Sequence, residues 1–223
     1  MRTVVAIDGP AASGKSSTAK DVAAALGFNH VDSGSLYRAV TAARARAGGS
    51  VAQWTEAEVL AAAHRVTLHP GTGSLVPWVD GAAIDDELRS AVVTASVSRV
   101  AQMPRVREWV NARLREAAAF QNVVVDGRDM GTAVFPGANV KVYLVADAWE
   151  RARRRVVQRD GGTPSDDAIS EEMARLIERD ARDAAQSAPA ADAVVIDTSQ
   201  VKQAEQVAQI VALARRALKM NRA

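Results

Sequence analysis

Hydrophobic residues along this chain form short β-branched runs that alternate with longer stretches of helical periodicity. The runs predicted as strands are residues 3–8, 28–32, 123–126, 140–145 and 193–197. Strands that alternate with helices favour a parallel sheet, because each crossover helix returns across a face of the sheet and covers it. The pattern therefore predicts an α/β protein with a five-stranded parallel sheet and helices on both faces.

The first predicted helix shows the pattern clearly. Residues 15–26 place Ala19, Val22 and Leu26 on one apolar stripe, and Gly27 follows as a left-handed cap. Further helices are predicted at residues 85–100, 104–120, 147–159, about 166–183, and around the apolar stripe 207–214.

The middle of the chain breaks this alternation. Residues 51–89 contain short apolar runs on either side of the turn-forming sequence Pro-Gly-Thr-Gly-Ser at 70–74. This pattern is typical of short antiparallel strands joined by tight turns, and it predicts a small inserted lobe. A second glycine-rich loop, at 160–165, separates two predicted helices and could serve as a hinge.

The loop after the first strand carries the clearest chemical motif. Residues 9–16 read Gly-Pro-Ala-Ala-Ser-Gly-Lys-Ser, a full match to the phosphate-loop pattern. Its backbone N–H groups are expected to surround a polyphosphate, with Lys15 at the terminal phosphates and the Ser16 hydroxyl on Mg²⁺. The predicted nucleotide-contacting residues are Gly9, Pro10, Ala11, Ala12, Ser13, Gly14, Lys15, Ser16 and Ser17.

Composition narrows the classes of partner. Lys and Arg number 28 against 26 Asp and Glu, which gives a formal charge of only +2 and does not suggest general nucleic-acid binding. The chain has no cysteine, so disulfides and thiolate chemistry are excluded. No apolar run has the length of a signal peptide core or a membrane span, so we expect a soluble, cytoplasmic protein without a membrane partner.

A phosphate loop alone does not distinguish kinases from switch GTPases or transport ATPases. The chain contains neither the Asn-Lys-x-Asp and Asp-x-x-Gly strings of GTPases nor the Leu-Ser-Gly-Gly-Gln signature of transport ATPases. Small kinases need instead a second pocket for the phosphate acceptor and arginines that neutralise the moving phosphoryl group. Candidate residues for such a pocket occur in residues 32–38, at Ser98 with residues 104–107, and in residues 126–132.

The strings Asp-Ser-Gly-x-x-Tyr-Arg at 32–38 and Gly-Arg-Asp-Met-Gly-Thr at 127–132 resemble the bacterial cytidylate kinase family. The likeness extends over nearly the whole chain and includes the inserted lobe. It implies transfer of a phosphoryl group from ATP to CMP or dCMP with Mg²⁺, by a monomer that closes a helical lid.

The resemblance also implies one phosphate-loop kinase domain with three parts. The core would comprise residues 1–32, 101–150 and 184–223. Residues 33–100 would form the nucleoside monophosphate (NMP)-binding region with its insert. The lid would span about 151–183.

Site residues follow from the family's motifs. Cytosine presents an amino donor beside ring acceptors, so its binding site should combine a carboxylate with a donor such as arginine. Asp129 and Arg107 would supply that pair. The predicted substrate-binding set is Ser33, Tyr37, Arg38, Ser98, Arg107, Arg128, Asp129, Arg179 and Asp183. Ser33, Arg38 and Arg128 match positions that hold the acceptor phosphate, and Arg179 and Asp183 match positions that contact the acceptor nucleotide. The predicted catalytic set is Lys15, Arg128, Arg151, Arg155 and Arg179.

Some positions admit other interpretations. Gln186 stands where many family members have arginine, so one charge on the acceptor phosphate is missing or comes from elsewhere, for example Arg182. Arg179 and Asp183 also have the spacing of ordinary surface ion pairs on a helix. Two alternatives to the function remain open. The acceptor could be another small molecule, such as UMP or shikimate, or the chain could be a nucleotide-dependent binding module without transfer activity.

Overall fold

A computed structural model describes residues 2–220 of the chain. The strands are β1 (Val4–Asp8), β2 (Asn29–Asp32), β3 (Val66–Gly71), β4 (Ser74–Val79), β5 (Ala82–Ala83), β6 (Val123–Gly127), β7 (Val140–Val145) and β8 (Val194–Asp197). The helices are α1 (Lys15–Leu26), α2 (Ser33–Ala45), α3 (Glu56–Ala63), α4 (Ala91–Val100), α5 (Pro104–Phe120), α6 (Ala148–Asp160), α7 (Asp166–Asp183) and α8 (Gln203–Met220). The chain folds into two compact units. The phosphate-loop unit comprises Thr3–Gly27 and the residues from 124 onward, and the middle unit comprises Phe28–Val123.

The phosphate-loop unit contains four strands in the order β6-β1-β7-β8. Strand β7 pairs in parallel with β1, where Val5 lies opposite Val140, and also with β8, where Val142 lies opposite Val194. Apolar side chains on both faces of the central strands are buried, because helices return across the sheet between parallel strands. Helices α1 and α8 are joined by a buried hydrogen bond of 3.1 Å from the Thr18 hydroxyl to the Gln206 side-chain oxygen.

The middle unit combines a parallel pair with a short meander. Strand β4 pairs in parallel with β2 and antiparallel with both β3 and β5. Helix α2 begins where the Asp32 carboxylate accepts a hydrogen bond of 2.8 Å from the Gly34 N–H, which satisfies one of the free donors of its first turn. Helix α3 begins with a capping box between Thr55 and Glu58.

The fold class predicted from the sequence is confirmed. All five predicted parallel strands form, and so do the short antiparallel strands of the insert. The predicted bounds of α1, β7, α5 and α7 agree with the structure.

The helix predicted at 85–100 is wrong in its first part. Glu87–Arg89 forms a short 3-10 turn, and α4 begins only at Ala91. Ser90 lies between them with φ −57° and ψ 157°, which is outside helical geometry. The apolar periodicity continues across this break, so periodicity alone could not reveal it.

Two helices were not predicted. Helix α2 begins with the sequence Ser-Gly-Ser, and α3 is only eight residues long. Within residues 2–220, no helix has both the length and the apolar character that crossing a membrane requires.

Candidate active site

The loop between β1 and α1 has a backbone that only certain residues allow. Gly9, Ala12 and Gly14 have φ angles of 149°, 59° and 89°. A Cβ atom at Gly9 would lie 2.2 Å from the carbonyl oxygen of Leu144, so a side chain cannot fit there. Gly14 directly precedes α1 and has no side chain that could cap the helix, which leaves the first N–H groups of α1 for an anion.

Polar side chains within this loop contact its own backbone. The Lys15 ammonium donates a hydrogen bond of 2.6 Å to the carbonyl oxygen of Pro10, and the Ser17 hydroxyl donates one of 3.0 Å to Gly14. Ser13 is fully buried, and its hydroxyl has no hydrogen-bond partner in the structure. A buried polar atom without a partner is uncommon, and here it lies in the loop predicted to receive phosphates.

The residues for a metal ion lie at the start of α1 and the end of β6. The Ser16 hydroxyl donates a hydrogen bond of 2.6 Å to the Asp126 carboxylate, which is only 1% exposed. In phosphate-loop enzymes, Mg²⁺ is held by the loop serine or threonine together with an aspartate that follows a strand. Hard oxygen donors of this kind suit Mg²⁺, so the two side chains fit the predicted ion.

A second buried carboxylate, Asp8, ends β1. Its two oxygens accept hydrogen bonds of 2.8 Å from the Met130 N–H and 2.7 Å from the Gly131 N–H. Burial raises the pKa of Asp8 to about 6, although these two N–H donors act in the opposite direction. Asp8 thereby fixes the turn that directly follows Arg128 and Asp129, two of the predicted site residues.

Thr198 contacts the phosphate loop at Ser13. The Thr198 hydroxyl shares its one hydrogen between the carbonyl oxygens of Val145 at 3.0 Å and of Ser13 at 3.2 Å. The Arg154 guanidinium in turn donates to the Thr198 hydroxyl at 3.1 Å and to its carbonyl oxygen at 2.6 Å. Arg154 also pairs with Glu150 at 2.9 Å. An arginine of α6 thus supports the loop through Thr198.

Predicted catalytic arginines lie together around two aspartates of α7. Arg128 lies 3.0 Å from Asp183 and 3.5 Å from Asp180. Arg151 pairs with Asp180 at 2.5 Å, and Arg179 lies 3.7 Å from Asp183. We call these five residues the arginine cluster.

The cluster concentrates positive charge. Burial lowers the pKa of Arg179, and so do the nearby charges of Arg128 and Arg155, whereas Asp183 raises it. Arg155 donates a hydrogen bond of 3.0 Å to Gln158 on its own helix. Three arginines against two aspartates leave a net positive charge, and the charge of Arg155 adds to it. Such a site favours a phosphate group.

In the middle unit, two predicted acceptor-binding residues, Tyr37 and Arg107, lie side by side. The Arg107 guanidinium lies 6.0 Å from the centre of the Tyr37 ring, within the range of a cation–π contact, and donates to the carbonyl oxygen of Ala101 at 3.0 Å. Arg38 donates a hydrogen bond of 3.1 Å to the carbonyl oxygen of Leu88. Ser33 is buried in the first turn of α2, and Ser98 is half-buried in α4.

Comparison with known proteins identifies the family. A sequence model of the cytidylate kinase family matches residues 5–216. The chain belongs to the cytidylate kinase family. Cytidylate kinase from Geobacillus kaustophilus (strain HTA426) is 39% identical over 213 residues, which cover 94% of this chain and 95% of that protein.

The chain is also similar to part of a longer bifunctional protein and to solved structures. A bifunctional pantoate ligase/cytidylate kinase from Synechococcus sp. (strain JA-2-3B'a(2-13)) is 39% identical over 99% of this chain, and the chain spans 42% of its length. Among solved structures, an uncharacterized protein from Eubacterium ventriosum ATCC 27560 matches with a TM-score of 0.52 and 11% identity, covering 96% of this chain and 99% of that one. At this identity the match indicates a shared fold only.

The structure brings together some of the residues predicted for this cytidylate kinase family member. It places Arg128, Arg151, Arg179 and Asp183 in one cluster, and Tyr37 beside Arg107. The pairing of Asp129 with Arg107 on one base stays a prediction, and so do the roles of Ser33, Arg38 and Ser98. Arg182, proposed to replace the missing charge at Gln186, is exposed and lies 3.8 Å from Glu178 on the same helix.

Sequence reasoning missed the supporting roles of Asp8, Asp126, Arg154, Asp180 and Thr198, and it included Asp126 only as part of the candidate acceptor stretch 126–132. Asp8 and Asp126 each follow an apolar run directly, and this position at a strand's carboxyl end is a signal that could have identified them. Asp180 lies three residues before Asp183, one turn away on the same helix face. Thr198 and Arg154 have no comparable signal, because only the fold brings them to the loop.

Proposed function

We propose that this chain is an ATP:CMP phosphotransferase that converts ATP and CMP or dCMP into ADP and CDP or dCDP. Membership of the cytidylate kinase family supports the choice of acceptor. The observation that carries the reaction type is the arginine cluster, because its member Arg151 contacts both Asp180 within the cluster and Ala11 of the phosphate loop. Phosphoryl transfer depends on positioning and on neutralising charge, and these are what a phosphate loop and converging arginines supply.

The donor side is formed by the phosphate loop. Backbone N–H groups of the loop from Ala12 onward and of the first turn of α1 would bind the phosphates of ATP, because Pro10 has no N–H and the Ala11 N–H donates to Asp180. Lys15 would contribute a positive charge at the terminal groups. Ser16 and Asp126 would hold Mg²⁺. When bound, this ion neutralises charge on the β- and γ-phosphate oxygens.

On the acceptor side, no general base is required. The phosphate of CMP already carries negative charge near neutral pH, so its oxygen can attack without losing a proton to the protein. Ser33, Arg38 and Arg128 would hold this phosphate, since a guanidinium can bind two oxygens at once. Asp129, Arg107 and Ser98 would bind the cytosine, Tyr37 would line the pocket, and Arg179 and Asp183 would contact the acceptor nucleotide.

The lid would comprise about residues 151–183, a segment that includes the glycine loop with Gly161 and Gly162. Its closure would exclude water that otherwise hydrolyses ATP. Arg151 and Arg155 would then stabilise the transferring group, a contribution of about 10³ to 10⁵ in rate for an arginine of this kind. The enzyme is expected to act as a monomer in the cytoplasm.

The function is tested by measuring ADP release with a panel of acceptors at fixed ATP and Mg²⁺. We expect CMP and dCMP to support rapid turnover, and UMP and shikimate to support much less. A preference for UMP or shikimate would contradict the acceptor assignment. ATP binding without acceptor-stimulated ADP release would instead indicate a nucleotide-binding module.

A further inference from the structure

Ala11 of the phosphate loop is contacted on both sides by the helices that follow β7. Its carbonyl oxygen accepts a hydrogen bond of 3.1 Å from Arg151 on α6. Its N–H donates one of 3.4 Å to the Asp180 carboxylate on α7. Arg151 and Asp180 also pair with each other at 2.5 Å. These contacts form a closed ring, which we call the Ala11 clasp.

The clasp is partly shielded from water. The Arg151 side chain is 9% exposed and that of Asp180 is 23% exposed. An ion pair in such surroundings is screened less than one on the surface, and removal of one member leaves the other charge partly buried and uncompensated. The clasp also restrains the loop next to Ala12, which has the left-handed φ of 59° that a non-glycine residue adopts only when its neighbours hold it.

Asp180 reaches beyond the clasp. The carboxylate oxygen that accepts from Ala11 also lies 3.5 Å from the Arg128 guanidinium. One carboxylate therefore contacts two of the predicted catalytic arginines and the backbone of the loop predicted to bind ATP. Asp183, one turn further along α7, holds the other side of Arg128 and lies near Arg179.

We propose that Asp180 is a positioning residue for phosphoryl transfer, which orients Arg151 and Arg128 and fixes Ala11 in the phosphate loop. The proposal rests on the proposed function for its kinetic part. Asp180 carries a negative charge close to a site for anionic phosphates, so it weakens their binding slightly while it orders the groups that act on them. Loss of this charge should therefore lower turnover without weakening ATP binding.

The test compares Asp180→Asn with the wild-type enzyme in steady-state assays with ATP and CMP. We expect kcat to fall about tenfold or more, because small displacements of positioned groups have large effects on rate. The KM for ATP should stay unchanged or fall. Asp180→Glu, which keeps the charge on a longer side chain, should recover part of kcat. Glu171→Gln provides the matched control, because Glu171 is an exposed carboxylate on the same helix.

A second measurement does not depend on activity. Hydrogen exchange of the peptide that contains Ala11, in the ligand-free protein, should become faster in Asp180→Asn and stay unchanged in Glu171→Gln. If the wild-type enzyme phosphorylates no acceptor, the proposed function fails, whereas the exchange experiment still tests the clasp.

Three outcomes would overturn the proposal. One is a kcat for Asp180→Asn within about twofold of the wild-type value. Another is a loss of activity that comes entirely from a higher KM for ATP. The last is exchange of the loop peptide that does not change. If Asp180→Asn does not fold, Asp180→Glu provides the test. Wild-type kcat and wild-type hydrogen exchange in Asp180→Glu would show that the position of the Asp180 carboxylate is not required, and would contradict the proposal.

Discussion

Asp8 shows how one buried side chain links the fold to the site. It lies at the end of β1 with 4% of its surface exposed, and the N–H groups of Met130 and Gly131, in the turn after β6, donate to it. Burial raises its pKa to about 6 in the folded protein, against an ordinary value of 3.8 in the unfolded chain. The folded state therefore holds the proton of Asp8 more tightly than the unfolded state does.

This shift predicts a pH dependence of stability. The contribution of Asp8 to the free energy of unfolding is complete below pH 4 or so, declines as the pH rises through about 6, and is absent by about pH 7. The pKa of Asp8 differs by about two units between the folded and the unfolded state, which corresponds to a change of about 3 kcal/mol in the free energy of unfolding across this pH range. Asp8→Asn removes this contribution and shifts the overall stability by a constant amount, because an amide offers only one oxygen to the two N–H donors.

Urea unfolding between pH 5 and pH 7.5 checks the prediction. The free energy of unfolding of the wild type, minus that of Asp8→Asn, should decrease by about 1 to 1.5 kcal/mol over this range. An exposed carboxylate such as Asp85 serves as the control, and Asp85→Asn should follow the wild-type curve. Parallel curves for wild type and Asp8→Asn would show that burial of Asp8 does not shift its pKa.

Asp129 carries the prediction on base specificity. Its side chain is buried, and its carbonyl oxygen accepts the N–H groups of the turn that follows. Asp129→Asn should lower kcat/KM for CMP by about tenfold to a hundredfold, because a buried donor of the base loses its charged acceptor. Turnover of UMP should improve relative to CMP, since an amide can donate where uracil presents an oxygen.

Acceptor assays with this variant include their own control. CMP and dCMP share the same base, so Asp129→Asn should change both to the same extent. An unchanged ratio of CMP to UMP turnover would remove Asp129 from the base-binding site.

At the level of elements, the phosphate-loop turn depends on one close approach. Gly9 lies against the carbonyl oxygen of Leu144, at the end of β7, where a Cβ would come within 2.2 Å. Gly9→Ala must therefore displace the loop or separate β1 from β7. Gly27 offers a comparison at the other end of α1, because it has φ 67° but nothing lies within 4 Å of an added Cβ.

The two glycines should therefore differ in their response to the same change. Gly27→Ala should lower the free energy of unfolding by about 1 kcal/mol, the ordinary result of a left-handed alanine. Gly9→Ala should lower it by several times that amount, or keep the fold and lose nucleotide binding. Thermal unfolding and ADP titration of both variants measure this. If both variants lost equally little stability, the backbone near Leu144 would have to move aside at little cost in free energy.

The same elements show what sequence reasoning can predict. Helix α1 was predicted to the residue because its apolar stripe ends at Gly27. Strand β7 was predicted to the residue because its β-branched run begins directly after the polar Asn139 and ends two residues before Asp147. The break at Ser90 and the supporting roles of Thr198 and Arg154 were not predicted. Periodicity carries no information on a single non-helical residue, and contacts between residues 44 positions apart depend on the finished fold.

The site also contains residues that the sequence could predict and residues that it could not. Motif residues such as Lys15 and Ser16 could be predicted, because the phosphate loop fixes both residue type and spacing. Asp180 escaped prediction because a helical Asp beside arginines has the same local pattern as a surface ion pair. Its role becomes visible only when α6, α7 and the loop are placed together in the phosphate-loop unit.

For the whole molecule, nucleotide binding and folding are linked. A ligand that binds only the folded state raises the free energy of unfolding, by about 2.7 kcal/mol when its concentration is a hundred times its dissociation constant. Proteins of this size are stable by only about 5 to 15 kcal/mol, so the effect is a measurable rise in unfolding temperature. ADP with Mg²⁺ should therefore stabilise the wild-type enzyme.

Lys15→Ala separates binding of the donor from stability of the fold. The Lys15 ammonium makes a short hydrogen bond to Pro10 within its own loop, and loss of one such bond lowers stability by about 1 kcal/mol. The ligand-free variant should therefore unfold close to the wild type, while its turnover falls by several orders of magnitude and the stabilisation by ADP becomes small. Lys20, exposed on the same helix, provides the control Lys20→Ala, which should keep both activity and the ligand response. Near-normal turnover in Lys15→Ala would contradict the donor site, because no other charge in the loop could replace this ammonium at the terminal phosphates.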